Sequence, residues 1–181
     1  VNDRCPFCCL QAVIVKERGN QLEVIDGQQR LTTVLILLQA LHTINEIGSL
    51  QTKIELEIQG YPIKLSAPII CPDVYSIEYE HRDNSAKWLE DITKAYFYDK
   101  INGNTQKLDN LKGCNSDYYH LVDAYITSIN LFSGWTPNKR SLFDDTLKKF
   151  TRFIWYDITN NNSNDTEIDI FDRINATKII A

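Results

Sequence analysis

The sequence predicts an α+β fold: a small mixed sheet in which a β-hairpin feeds a buried helix, with a helical bundle inserted before the sheet is revisited. Three observations carry this. Two β-rich stretches flank a Gly19-Asn20 turn near the start, apolar residues recur at helical spacing through the middle, and a further strand pattern returns at Arg152 to Ile158.

Leu10 to Val15 is apolar and rich in β-branched residues, and Gln21 to Ile25 resumes that pattern after Gly19-Asn20. Such a pair reads as a β-hairpin. A helix follows from about Gln28 to Glu46. Its apolar positions Leu31, Val34, Leu35, Leu37, Leu38, Leu41 and Ile44 cover most of its circumference, which predicts burial on several sides, and Gly48 is expected to close it. Lys53 to Ile58 alternates apolar and acidic residues, which predicts a strand with one wet face. Gln59-Gly60 is a turn signal, Ile63 to Leu65 is expected to pair back, and Ile69-Ile70-Cys71 between Pro68 and Pro72 suits a short edge strand.

From Asn84 the period becomes helical: Trp88, Leu89, Ile92, Ala95 and Tyr96 form a stripe reaching about Tyr98. Ile101 to Asn115 reads as a connecting loop. Tyr118, Val122, Tyr125, Ile129 and Phe132 then step by four, three, four and three, a helical seam whose tyrosines belong to a core rather than to a base-stacking platform. Trp135-Thr136-Pro137-Asn138 breaks that helix, and Ser141 to Phe150 supplies another. Thr159 to Asp165 is a polar loop, and Thr166 to Asn175 is a last helix carrying Ile168, Ile170, Phe171 and Ile174. Residues 1–82 and 151–181 thus make a sheet-containing part, and residues 83–150 a helical part, of a single domain spanning 1–181.

The 181 residues are 43% hydrophobic and 24% charged, ordinary for a globular chain. A net charge of -5 and a pI near 5.2 give no basic footprint of the kind a dedicated DNA-binding domain carries. The longest apolar run, Val34 to Leu38, is far too short to cross a bilayer, so no membrane partner is expected. Five cysteines, an odd number, suit a reducing compartment such as the cytoplasm better than a disulfide framework. Cys5, Cys8 and Cys9 form a C-x-x-C-C cluster, but four zinc ligands are needed and no second pair follows, so these thiols are expected to lie buried on a strand. A start without methionine and an end soon after Asn175 are expected of a piece of a longer protein.

The run Val24-Ile25-Asp26-Gly27-Gln28-Gln29-Arg30-Leu31-Thr32-Thr33 turns an apolar strand straight into a helix. The first turn of a helix has N–H groups without intrahelical partners and about half a positive charge, so it attracts phosphate. Two readings of the corner stand side by side. In the structural one, Asp26 caps the helix, Gln29 reaches back as in a capping box, and Gly27 eases the turn. In the functional one, two amides exceed what a cap requires, Arg30 offers a planar fork to phosphate oxygens, and Asp26 would repel phosphate unless a cation such as Mg²⁺ bridged them. Acid, metal and arginine around a phosphate serve phosphoryl transfer or phosphodiester hydrolysis. A Walker loop is absent.

Val24 through Leu41, reading VIDGQQRLTTVLILLQAL, closely resembles the signature of the GmrSD-type N-terminal domain of the ParB/sulfiredoxin-like superfamily. The stretch from Tyr79 to Leu89, the strand Phe153 to Ile158 and the element Phe171-Asp172-Arg173-Ile174-Asn175 are similar to further parts of that family. The family's upstream P-x-Y-Q-R element, and its glycine after the position of Asn175, have no counterpart here. The resemblance implies a domain of bacterial modification-dependent restriction and phage defence that binds and hydrolyses a nucleoside triphosphate with Mg²⁺. In some relatives it implies DNA nicking instead, and it implies an HNH-type nuclease domain in the same chain or as a partner, with DNA contacted through the full-length protein. By position, Asp26, Gln28, Gln29 and Arg30 would be catalytic, with Asp26 on the metal, and Gly27, Arg30, Arg82 and Asn175 would contact phosphate. Arg82 and Asn175 also admit plainer roles, in a salt bridge with Glu78 or Glu80 and at a helix end. A third reading is a non-catalytic regulatory or docking module whose motif survives as a cap.

Overall fold

The computed structural model describes residues 7–58, 71, 75–79, 87–159, 166, 169 and 172. They form three strands, β1 (Cys8–Arg18), β2 (Gln21–Asp26) and β3 (Thr151–Asp157), and five helices, α1 (Gln28–Ile58), α2 (Trp88–Asn102), α3 (Gln106–Lys112), α4 (Ser116–Ser133) and α5 (Pro137–Asp145). The architecture is mixed α+β, as expected. The chain divides into two compact units, Val1–Leu31 with Asp145–Ala181, and Thr32–Asp144.

The first unit holds the sheet, ordered β2-β1-β3. The hairpin forms where the sequence indicates it, with Arg18 opposite Gln21 across Gly19-Asn20 and Gly19 at φ +64°. β3 returns parallel to β1, from Cys8 opposite Thr151 to Val15 opposite Asp157, and the Ile158 N–H extends the ladder to the Val15 carbonyl at 2.9 Å. Val13, Ile14 and Val15 on the middle strand are fully buried, with Ile14 packed on Ile158 and Ile25. Cys8 and Cys9 do lie on a strand, but both are exposed rather than buried. They precede the part of β1 that β2 covers, because that pairing begins only at Ile14.

The second unit is helical. Leu35, Leu41, Trp88, Ile92, Val122, Tyr125, Ile129 and Phe132 belong to one continuous core. The α4 seam is therefore a packing seam, and Asn115 caps that helix by accepting the Tyr118 N–H at 2.8 Å. A polar chain runs through this core. The Gln39 amide oxygen accepts the Cys71 N–H at 2.9 Å, and the Thr43 and Tyr125 hydroxyls lie 2.7 Å apart. Near the head of this unit's share of α1, the Thr32 and Tyr79 hydroxyls lie 2.7 Å apart.

Three further stretches are corrected. Lys53 to Ile58 is not a strand but the end of α1. Alternation over six residues also satisfies the i, i+4 spacing of Leu50, Ile54 and Ile58, and a lone glycine at 48 costs a helix only about 1 kcal/mol. The stretch Ile101 to Asn115 is not all loop, because α2 runs on to Asn102 and α3 occupies Gln106–Lys112. The cap of α3 is remote: the buried Asp99 carboxylate accepts the N–H groups of Lys107 at 3.0 Å and Leu108 at 2.9 Å. The third bundle helix starts at Pro137, whose fixed φ suits a first helical position. It also stops at Asp145 and gives way to a π-helical turn, Thr146–Phe150, which delivers the chain into β3.

Asp169 and Asp172 are helical, and Thr166 and Asp169 exchange reciprocal side-chain-to-backbone bonds, while the other residues of the helix expected at 166–175 lie outside the described residues. The expected turn at 59–60, the strand at 63–65, residues 69 and 70, and the loop residues 160–165 lie outside the described residues.

Candidate functional site

The strand-to-helix corner is built by a register shift. Val15 faces Val24, but Ile14 faces Asp26, so Ile25 is an extra residue that bulges β2 just before its end. Bulges re-aim side chains and end pairing. Carried one step further, the register sets Gly27 against Val13. Gly27 is buried at φ +99°, and a Cβ there would lie 3.0 Å from Val13 Cγ2 and 3.2 Å from Val13 Cα. Glycine is thus required twice, by the backbone angle and by the approach of β1.

The helix starts at once. The Gly27 carbonyl accepts the Leu31 N–H at 3.1 Å, so Gly27 rather than Asp26 occupies the capping position of α1. Asp26 instead pairs with Arg30, whose Nη2 donates to Asp26 Oδ2 at 3.1 Å. Arg30 Nη1 donates to the Ala12 carbonyl. That carbonyl sits opposite the position a continued β2 would fill with residue 28, so the guanidinium covers an acceptor the departing strand leaves behind. The Asp26 and Arg30 side chains are about a fifth and a quarter exposed, enough to reach solvent while anchored. Gln28 is exposed and turns its Nε2 back onto the Val24 carbonyl at 2.8 Å. Gln29 is exposed beside it.

The corner therefore gathers Asp26, Gly27, Gln28, Gln29 and Arg30 at the head of α1. Arg82 and Asn175 lie outside the described residues, as does Cys5. Among the described residues no cluster of three or more His, Cys, Asp or Glu side chains is arranged to hold a metal. The sequence reading missed Ala12 and Val13, which shape the corner through a carbonyl and a backbone contact. Their residue types carry no signal. Only the pairing register, counted back from Gly19-Asn20 and corrected for the bulge, points to them.

Fold and corner define a class: a mixed α+β domain organised around a strand, a positive-φ glycine and a long helix. The chain belongs to the family described as GmrSD restriction endonuclease, N-terminal domain, whose model matches residues 6–180. It is accordingly a module of the restriction type. No curated protein and no solved structure matches it. No helix among the described residues is long and apolar enough to cross a membrane.

Proposed function

We propose that this domain binds a nucleoside triphosphate at the Asp26–Arg30 corner and hydrolyses it with Mg²⁺, as the nucleotide-consuming part of a cytoplasmic restriction or phage-defence protein. Its DNA would be met through the full-length chain and an HNH-type nuclease domain, in cis or in trans. The observation that carries the reading is the abrupt entry into α1. Gly27 closes the turn in one residue, so a carboxylate, two exposed amides and a guanidinium surround the first turn of α1, the part of a helix that attracts anions.

Asp26 suits Mg²⁺. That ion keeps several waters and takes one or two carboxylates together with substrate phosphates, and one partly exposed carboxylate is what the corner supplies. When bound, Mg²⁺ neutralises phosphate oxygens. Arg30, already fixed by the Ala12 carbonyl, would present its remaining donors to the charge that develops on the terminal phosphate. The Gln28 amide, fixed on the Val24 carbonyl, and the neighbouring Gln29 would orient phosphate and the attacking water. Water adds to the terminal phosphorus and gives up a proton as the bridging P–O bond breaks, giving the nucleoside diphosphate and inorganic phosphate. Arg82 and Asn175 are proposed as further phosphate contacts.

The test is phosphate release by the full-length protein with Mg²⁺ and each common triphosphate. Asp26→Asn should lower it at least 100-fold while a melting curve stays cooperative. Unchanged release in that variant refutes the assignment. A second reading is favoured by the engagement of Arg30 with Ala12 and Asp26: the motif as a purely structural latch. No nucleotide binding to the intact wild type, with a large melting loss in Asp26→Asn, would establish it. Nicking of supercoiled plasmid without any nucleotide, lost in Asp26→Asn, would favour direct DNA cleavage by the same corner.

A further inference from the structure

The edge of β3 is the second notable surface of the sheet-containing unit. Among the described residues β3 pairs on one side only, with β1. Its last three apolar side chains are about half exposed: Ile154 at 54%, Trp155 at 51% and Tyr156 at 49%. A seven-residue edge of that kind, with no proline, is a template for another strand.

The sequence of the edge says which strand. Ile154 is the middle residue of Thr151–Asp157. Laid antiparallel against an identical copy about a two-fold axis at Ile154, Arg152 meets Tyr156, Phe153 meets Trp155, and Thr151 meets Asp157. Three of the pairings are favourable by their own chemistry: cation on aromatic ring, aromatic on aromatic, and Ile154 on itself. Thr151 opposite Asp157 sets no like charges together, its hydroxyl being donated to the Thr146 carbonyl at 3.0 Å. Shifting the axis by one residue loses these matches. An axis at Trp155 sets Phe153 against Asp157, and one at Phe153 leaves Tyr156 beyond the strand.

The backbone agrees. The Ile158 N–H points to β1, so by the two-residue alternation Thr151, Phe153, Trp155 and Asp157 direct their backbone groups outward. With the axis at Ile154, Phe153 and Trp155 become a hydrogen-bonded pair and Ile154 faces its copy in a non-hydrogen-bonded pair. That is a regular antiparallel ladder, and β3 itself contributes no bulge, since the shift in its pairing with β1 falls between Leu10 and Ala12.

We infer that a second copy of this chain pairs with β3 through this self-complementary edge, joining two three-stranded sheets into one of six strands. The contact is isologous. A ladder of this length is a small interface, so association at roughly micromolar concentration is expected.

The experiment uses the full chain. Sedimentation velocity across about 1–100 μM should show a reversible dimer. Ile154→Lys and Ile154→Glu each set like charges on the axis and should each weaken dimerisation at least 100-fold, while their equimolar mixture should dimerise again. That rescue excludes misfolding as the cause. In Ile154→Cys the facing Cα atoms would be about 4.5 Å apart, within disulfide range. Mild oxidation of that variant should give a covalent dimer whose peptide map links the introduced thiols of the two copies to each other. Trp155→Cys, oxidised in the same way, should give no link between its own two introduced thiols. A wild type monomeric at 100 μM, a dimer insensitive to Ile154→Lys, or a strand from a different protein captured on β3 in place of the copy would each overturn the inference.

Discussion

Replacing Gly27 with alanine tests the geometry of the corner without touching a charged group. Two costs add. The residue sits at φ +99°, where an L side chain is strained by about 1–2 kcal/mol. The new methyl would also lie 3.0 Å from Val13 Cγ2, 3.2 Å from Val13 Cα and 3.3 Å from Val13 Cβ, and overpacking of a buried site costs about 1–3 kcal/mol. The expected loss is therefore about 2–5 kcal/mol, a fall in melting temperature on the order of 10 °C. Gly19→Ala is the internal control, because Gly19 has a positive φ of +64° but nothing within 4 Å of its would-be Cβ. It should lose only the strain. Differential scanning calorimetry of the full chain measures both. Val13→Ala in the Gly27→Ala background should rescue only part of the loss, since it removes Cγ2 but leaves Val13 Cα and Cβ in place. A Gly27→Ala protein no less stable than Gly19→Ala would refute the close approach of β1 and the corner built on it.

Three further outcomes are expected. Arg30→Met leaves the Ala12 carbonyl and the Asp26 carboxylate without their shared donor and should cost about 1–3 kcal/mol in urea unfolding, with Asp26→Asn/Arg30→Met costing less than the sum of the singles. Asp99→Ala removes both acceptors at the start of α3 and should cost about 2–4 kcal/mol, with the amides of Gln106–Lys112 losing hydrogen-exchange protection first, and Asp99→Asn restoring about half. Burial pushes the Tyr125 phenol up to about 12 from its ordinary 10. Its protonated form is the one the fold favours, so that contribution to stability is complete below pH 10 and is lost as pH rises towards 12. Stability measured from about pH 9 to 12, with phenolate absorbance followed in parallel, should decline less steeply in Tyr125→Phe.

Local patterns carried most of the fold. Gly19-Asn20 between two β-branched runs specifies the hairpin because both central turn positions are filled by residues that tolerate unusual backbone angles. The step of Tyr118, Val122, Tyr125, Ile129 and Phe132 specifies α4, and four of those five are buried in its core. What failed was decided at a distance. At Gln106 the local signal is weak: Thr105 holds the capping position but its side chain caps nothing, and the carboxylate that starts α3 belongs to Asp99, at the far side of a turn. Alternation at Lys53 to Ile58 is too short to separate two periods, and continuity with a helix already under way settles it. The corner shows the same division: Asp26 to Arg30 is legible as a string, but the partner of Arg30 is a main-chain carbonyl, which no residue type reveals.

The ion pair at the corner has a consequence for any anion that approaches it. Asp26 and Arg30 neutralise one another at 3.1 Å, so a phosphate meets little net attraction beyond the helix end. A carboxylate about 4 Å from a phosphate at a partly solvated site repels it by roughly 1–4 kcal/mol. A cation on Asp26 cancels that repulsion and leaves the Arg30 charge, still tethered to the Ala12 carbonyl, for the phosphate. Nucleotide and Mg²⁺ should therefore bind with positive coupling, each tightening the other by the same factor. Asp26→Asn separates this from a role in folding. By removing the repulsion it should bind nucleotide without metal at least several-fold tighter than the wild type does, while gaining little when Mg²⁺ is added and releasing no phosphate. Calorimetric titration of the full-length protein with nucleotide, in EDTA and in Mg²⁺, reads both constants. Equal wild-type affinities in the two buffers, or weaker metal-free binding by Asp26→Asn, would mean that the carboxylate serves the corner's structure and not its ligand.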